Sequence, residues 1–559
     1  MNTAAQMRAL RIRPSTLRSN LSRRSVFHPT RNASSTATDA RSAATRTKNL
    51  VYGTALTFGL AFGYLYVTDT RASIHEWLVV PALRQIYPDG EDAHHAGTAI
   101  LKGLHGFGLN PRERGNPDAA GDLAVEIFGH TLDNPIGTSA GIDKGAEVPT
   151  PLFDLGAAIV EVGAVTPYAQ PGNDRPRVFR LPSQNALINR YGFNSEGAEK
   201  VALRLRQRIR EFAYHVGLGM DEEAERKVLD GEVGVPPGSL RPGRLMAVQI
   251  TKNKTTSEHD IDAVVRDYTY CVGQVGKYAD ILVVNVSSPN TPGHRALQNV
   301  EPLTKLLSGV VQAVKQVDRK TKPAIMVKVS PDEDSEEQVS GICEAVWDSG
   351  VDGIIVGNTT KKRPDPLPKG YLLPDHEASL LLEQGGYSGP QMFERTLDLV
   401  KRYRKAIDEG PKLPPPAPKL EKPAADQSNE GESDSSILEK LTPSTTPSEI
   451  LDSAASSVPG ASTTLPSESA PLSSNVDDLS ESVPTVTVPP TPDAAPAPST
   501  SGSRKVIFAT GGITNGRQAR EILDAGASVA QVYTALIYGG VGTISRIKEE
   551  MREEAKKGK

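Results

Sequence analysis

The chain has 559 residues, a formal net charge of −4 at pH 7 and two cysteines, Cys271 and Cys343. A near-neutral balance leaves no electrostatic footprint for nucleic acid. Two cysteines make neither a disulfide framework nor a zinc or iron–sulfur ligand set, so no metal site is expected and a redox role must come from a bound cofactor.

Residues 1–48 hold nine arginines, many Ser, Thr and Ala, and no acidic residue before Asp39. That composition matches a mitochondrial transit peptide, although a disordered basic tail reads the same way. The run 50–67 (LVYGTALTFGLAFGYLYV) follows with no charge. As a helix rising 1.5 Å per residue it reaches about 27 Å, close to the hydrocarbon thickness of a bilayer, and is expected to span one. Tyr64 and Tyr66 suit an interface at one end, and Arg41, Arg46 and Lys48 flank the other. The positive-inside rule then keeps the N-terminus in the matrix and turns the bulk of the chain to the intermembrane space. A buried core helix is the alternative.

Residues 73–110 read as two amphipathic helices. Ile74, Trp77, Leu78, Leu83 and Ile86 mark one apolar face, and Ile100, Leu101, Leu104 and Phe107 the other. Pro88, Asp89 and Gly90 supply the turn. The pair suits the surface of a bilayer or a cap on the main domain.

Eight short apolar runs then alternate with helix-length segments: 135–139, 158–162, 247–250, 281–285, 324–328, 353–356, 506–510 and 528–532. The pattern predicts an α/β fold, a (β/α)8 TIM barrel over 120–410 and 504–559, with chemistry at the C-terminal ends of the strands. Two insertions break the rhythm. Residues 220–244 are charged and read as an exposed excursion. Residues 411–503 are rich in Pro, Ser, Thr, Ala and acids and have no aromatic residue. Such a composition cannot offset its ordering entropy and predicts a disordered loop inside the barrel.

Polar motifs fall where those strands end. Asn285-Val-Ser-Ser-Pro-Asn-Thr291 closes the fourth run with amides and hydroxyls suited to a planar anion, although the same string can simply cap a helix. Asn189-Arg-Tyr-Gly-Phe-Asn194 gathers amide, cation and aromatic groups, and Ser139-Ala-Gly-Ile-Asp-Lys144 follows the first strand. Lys328 ends the fifth, a position from which an ammonium can stabilise an anionic ligand. Ala509-Thr-Gly-Gly-Ile513 and Gln531-Val-Tyr-Thr-Ala535 end the last two, where barrels commonly bind phosphate. No G-x-G-x-x-G follows a strand at the start of the domain, against a separate dinucleotide fold.

These motifs, with Arg175-Pro-Arg-Val-Phe-Arg-Leu181, resemble the dihydroorotate dehydrogenases, specifically the membrane-bound, quinone-dependent class 2, from about residue 93 to the C-terminus outside the insertions. The resemblance implies oxidation of dihydroorotate to orotate for pyrimidine synthesis, with FMN as the bound hydride acceptor and ubiquinone as the final one, at the inner mitochondrial membrane. It implies Ser288 as the base that takes the C5 proton, where class 1 carries cysteine, and Lys328 as the stabiliser of charge on the reduced ring. It further implies that Lys144, Asn189, Arg190, Tyr191, Gly192, Phe193, Asn285, Asn290, Asn358 and Thr359 hold the substrate. Ala140, Gly141, Lys144, Ala164, Gln249, Asn285, Lys328, Gly357, Ser388, Gly389, Gly512, Tyr533 and Thr534 are implied as flavin contacts. His94, Arg180 and Tyr533 are implied at the polar end of a quinone tunnel formed by 73–110. The chain departs from the family pattern at Gln249 (usually Asn), Thr251 (usually Gly), Ala164 (often Ser) and Gly357 (often Thr). A nicotinamide-linked flavin barrel would need a dinucleotide domain or cluster cysteines. A non-enzymatic scaffold would predict damage at Ser288, Lys144 or Lys328, all of which are present.

Overall fold

The computed structural model describes residues 35–291, 293–410 and 504–557. The expectations for the first 34 residues of the transit segment and for 411–503 lie outside the described residues.

Eight parallel strands close into a barrel: β1 (Ile136–Thr138), β2 (Ile159–Val165), β3 (Leu245–Ile250), β4 (Ile281–Asn285), β5 (Ala324–Val329), β6 (Gly353–Val356), β7 (Val506–Thr510) and β8 (Val529–Val532). Each pairs with its neighbours in chain order, and β8 closes onto β1. The strands read as apolar runs because both their faces are buried, one against the helices and one inside the barrel.

Inside the barrel the two-residue alternation of a strand decides what stands at each height. Ile159, Leu245, Ala247, Val283, Met326, Phe508 and Val529 pack the lower interior. One step further along the same faces come Glu161, Gln249, Asn285, Lys328, Thr510 and Gln531, all buried. The apolar filling thus ends in a polar ring at the C-terminal rim. At the opposite end a hairpin of Val125–Ile127 and His130–Leu132 inserts Ile127 and Leu132 into the same interior cluster. Its turn residues, Phe128 and Gly129, both have positive φ (51° and 78°), as a two-residue hairpin of this twist requires.

A three-stranded antiparallel sheet lies outside the barrel set. Val178–Leu181 pairs with Ala186–Asn189, which pairs with Gly386–Ser388. It brings together residues nearly two hundred positions apart and carries Arg180, Asn189 and Ser388.

The N-terminal helix runs without a break from Ser35 to Val67, longer than the expected 50–67. Its part Ser42–Val67 is, among the described residues, the one helix long and apolar enough to cross a membrane, and none of its apolar window is buried. Its end is tied to the following loop by Arg112, which donates to the Tyr64 hydroxyl at 3.2 Å. The amphipathic pair appears as a π-helical turn His75–Val79 continuing into Val80–Ile86, then Gly90–Gly106. Asp89 caps the latter by accepting from the backbone N–H groups of Glu91 and Asp92 (2.8 and 3.0 Å).

The segment 220–244 corrects its expected exposure. It contains the helix Glu222–Leu229, whose Ala224, Val228 and Leu229 are buried. Glu225 pairs with Arg206 and Arg210 (2.8 and 2.9 Å). The high charge content concealed an apolar stripe at helical spacing.

Candidate active site

The polar rim of the barrel is organised by Glu161, a residue the sequence reading passed over. Its carboxylate is fully buried and accepts from Gln249 Nε2 (2.6 Å), Gln531 Nε2 (3.0 Å), the Ala140 backbone N–H (3.0 Å) and Lys328 Nζ (3.2 and 3.4 Å). Lys328 also donates to Ser139 Oγ at 3.0 Å. A carboxylate only accepts, so Gln249 must turn its NH2 toward Glu161 and its oxygen outward. That oxygen receives Asn285 Nδ2 at 2.7 Å. Asn285 in turn offers its own oxygen to the Ser287 N–H (3.0 Å) and hydroxyl (3.1 Å), and Asn358 Nδ2 reaches Ser287 Oγ at 2.7 Å. The departure at Gln249 therefore keeps an amide in place and uses its extra methylene to span from Asn285 to Glu161.

Above this floor is an open cleft. Its wall includes Ala140, Gly141, Lys144, Ala164, Asn189, Tyr191, Gly192, Phe193, Gln249, Asn285, Ser288, Asn290, Lys328, Asn358, Thr359, Ser388, Gly389, Gly512, Tyr533 and Thr534, all expected at the site. Thr534 Oγ1 donates to Ser388 Oγ at 2.9 Å, joining the end of β8 to the small sheet. Gly512 has φ +75°, and a Cβ there would lie 2.3 Å from the Phe393 backbone nitrogen. Gly141, at φ +102°, lets the backbone pass the Tyr533 ring, which a Cβ would meet at 3.2 Å. Ser139, Asn194, Thr510, Gly511 and Gln531, which stand in the same strand-end motifs, line it too, as do Gly163 and Thr514.

Two expected contacts are corrected. Arg190 does not line the cleft. Its guanidinium pairs with Glu383 (2.5 Å) and lies 4.7 Å from the centroid of the Phe179 ring, because alternate residues of an extended segment point to opposite sides. Gly357 does not line it either. At φ +107° it passes so close to β7 that a Cβ would sit 2.0 Å from the Thr510 carbonyl, so its role is to allow close packing.

Ser288 is buried at the edge of the cleft. Its Oγ accepts from the Asn290 N–H at 3.3 Å. Behind it stands His294, fully buried and not anticipated. The Ser288 N–H donates to His294 Nδ1 (3.3 Å), so the ring proton sits on Nε2 and points to Thr251 Oγ1 (3.0 Å). Burial, and then the positive charge of Lys252, lower His294 to about 3, so the ring stays neutral. The departure at Thr251 thus has a partner, and Phe193 packs on the same ring at 5.3 Å between centroids.

Lys144 places its ammonium 3.9 Å from the centroid of the Tyr191 ring. Loss of water, and then repulsion by Arg177, lower it to about 8. The Tyr191 hydroxyl donates to His94 Nδ1 (3.3 Å), while His94 Nε2 donates to the Ile142 carbonyl (2.7 Å). Burial lowers His94 to about 4.

His94 and Arg180 line a second, larger cavity with mostly apolar walls. Val80, Leu83, Ala93, Ile100, Leu101 and Leu104 of the helical pair line it, together with Tyr64 and Val67 of the long helix. Arg180 donates to the Tyr87 and Pro88 carbonyls (2.7 and 2.6 Å). Tyr191 and Tyr533 line both cavities and separate them. Outside, Trp77 and Phe107 are 63% and 82% exposed, so the helical pair shows apolar surface on the side away from the cavity too.

The dihydroorotate dehydrogenase family model matches residues 122–411 and 499–554. The chain belongs to the dihydroorotate dehydrogenase family. Relatives named mitochondrial dihydroorotate dehydrogenase (quinone) include those of Candida glabrata (33% identical, covering 90% of this chain and 88% of the relative) and Mus musculus (37% identical, 63% and 77%). A crystal structure of the Eimeria tenella dihydroorotate dehydrogenase in complex with ferulenol superposes with a TM-score of 0.56 at 26% identity, covering 86% of this chain and 95% of that one. Membership of the dihydroorotate dehydrogenase family makes the chain an oxidoreductase of pyrimidine biosynthesis with a flavin cofactor.

Proposed function

We propose that the cleft takes dihydroorotate and FMN, that the apolar cavity takes ubiquinone, and that the chain is a single-pass protein of the mitochondrial inner membrane facing the intermembrane space. The observation that carries this reading is the shared wall. A polar cleft able to hold an anion and a large apolar cavity able to hold a quinone meet at Tyr191 and Tyr533.

The residues present fit a flavin. The amide oxygen of Gln531 is buried with no hydrogen-bond partner among the described residues, which leaves an acceptor for a ring N–H. Lys328 supplies a cation at the floor. Gly141 and Gly512 keep backbone open where a Cβ would intrude, and Ser388, Gly389 and Thr534 offer small polar groups for the ribityl chain and phosphate. FMN, when bound, supplies the hydride acceptor.

The chain's own residues do the rest. Lys144, with the amides of Asn189, Asn285, Asn290 and Asn358 and the Thr359 hydroxyl, holds the substrate carboxylate and ring. Ser288 Oγ takes the C5 proton as its own hydroxyl proton passes on to a second acceptor, and the Asn290 N–H, which already donates to that oxygen, lowers the cost of negative charge on it during the exchange. His294 fixes the Ser288 backbone and, being neutral with its lone pair occupied, does not take the proton. Thr291, three residues on, has a buried hydroxyl without a partner among the described residues and offers the next station. Tyr191 and Phe193 help close the cleft against water.

In this reading residues 73–110 form the quinone tunnel, 120–410 with 504–559 the FMN barrel, and 411–503 an insertion in it. Residues 1–48 address the chain to the mitochondrion and the following apolar span anchors it in the membrane. The test is anaerobic mixing of the full chain in detergent with dihydroorotate, followed by a ubiquinone analogue. Bleaching and then recovery of the flavin spectrum is expected. Recovery with fumarate or a nicotinamide only would overturn the acceptor, and absence of bleaching would overturn the substrate.

A further inference from the structure

Glu161 does not line the cleft, yet every group it holds does. A methionine or leucine would fill this level of the barrel without removing a charge from water, and buried ion pairs are often no more stable than apolar replacements. The pair Glu161–Lys328, with side-chain exposures of 0% and 4%, is therefore not explained by packing.

We propose that Glu161 is the positioning residue and counter-charge of Lys328, and that it sets the electron affinity of the flavin bound above them. This rests on the FMN reading given above. Lys328 Nζ is held between Glu161 and Ser139 Oγ, which aims the ammonium at the cleft floor. With Glu161 ionised, the pair has no net charge, so the floor attracts a negatively charged reduced ring less than a free ammonium would. The same carboxylate orients Gln249 and, through it, Asn285, so one buried charge sets both the field beneath the flavin and the polarity of the amide relay toward the substrate.

The experiment uses the full chain, purified with its flavin, in the parent form and as Glu161→Gln, Glu161→Asp, Lys328→Met and the double variant Glu161→Gln/Lys328→Met. Bound flavin is quantified first, and the midpoint potential is then measured by spectroelectrochemical titration. Glu161→Gln leaves the ammonium unopposed and is expected to favour the reduced flavin at least tenfold, a rise of ~30 mV or more for a two-electron couple. Lys328→Met is expected to shift the potential down by a similar amount. The double variant should return to within ~30 mV of the parent, and Glu161→Asp, which keeps the charge, should stay close to it. An unmoved or lowered potential in Glu161→Gln with full flavin overturns the proposal, as does a double variant that fails to return. If Glu161→Gln does not fold, Lys328→Met and the double variant decide alone, and an unchanged or raised potential in Lys328→Met overturns it. A parent chain without flavin would instead overturn the FMN reading itself.

Discussion

Replacing Ser288 by alanine separates a chemical role from a structural one, because the two predict effects of different size. Among the described residues the side chain has one partner, the Asn290 N–H at a long 3.3 Å. Losing so weak a hydrogen bond costs at most about 1 kcal/mol of stability, and the missing oxygen leaves a gap smaller than a methyl group. The Ser288 backbone stays where it is, because its N–H is held by His294 and not by its own side chain. Flavin binding should therefore be unchanged. A positioned general base, in contrast, contributes roughly 10²–10⁴ in rate, or ~3–5 kcal/mol of activation free energy. The assay is anaerobic rapid mixing of the flavin-loaded variant with saturating dihydroorotate, following the bleaching rate. A fall of two to four orders of magnitude with full flavin occupancy is expected. Bleaching within tenfold of the parent would refute Ser288 as the base, and loss of flavin would show that its hydroxyl helps to build the site.

Three further outcomes follow from the same geometry. Lys144 carries its charge below about pH 8 and loses it above, so orotate affinity should fall as pH rises through that value. Lys144→Met should abolish the step, while a flat profile from one unit below to one unit above would remove the ammonium from the carboxylate site. His94 and His294, lowered to about 4 and 3, do not titrate in that window. Gly97 lines the apolar cavity, and a Cβ there meets open space, so Gly97→Phe should fill the tunnel without a clash. Reoxidation by a quinone analogue is expected to slow at least tenfold while bleaching by dihydroorotate stays constant, and a parallel loss of both would contradict two separate cavities. Gly512→Ala places a methyl group 2.3 Å from a backbone nitrogen at φ +75°, a strain of about 1–3 kcal/mol. Flavin occupancy and melting temperature should both drop, and full occupancy at the parent melting temperature would show that this loop can move.

Much of the architecture was legible along the chain because it depends on local order. A strand buried on both faces must be a short apolar run, so eight such runs marked the barrel. Groups facing the cleft must follow those runs, so Asn285, Ser288, Lys328 and Tyr533 could be named as candidates. The uncharged run 50–67 could be read as a span because length and composition are the relevant quantities. The stripe in 220–244 was also present in the letters, at Ala224 and Val228, but the surrounding charges masked it.

Other features belong to no single segment. Glu161 sits within a strand sequence, Ile159-Val-Glu-Val-Gly-Ala-Val165, that by itself reads as an interrupted apolar run. It becomes a hub only because barrel closure brings Lys328, Gln531 and Gln249 to its height from three other strands. Its partner across the barrel is 167 positions away. His294 gains meaning from Thr251 and Ser288, and Tyr191 from the two cavities on either side of it. Arg190 and Gly357 show the converse, since both stand in motifs that point to the cleft and both are directed elsewhere by backbone geometry. Periodicity and composition along the chain determined which segments are buried and which strand ends carry polar groups. Closure of the barrel decided which of those groups face one another, because hydrogen bonds and ion pairs act over a few ångströms in space whatever their separation in sequence.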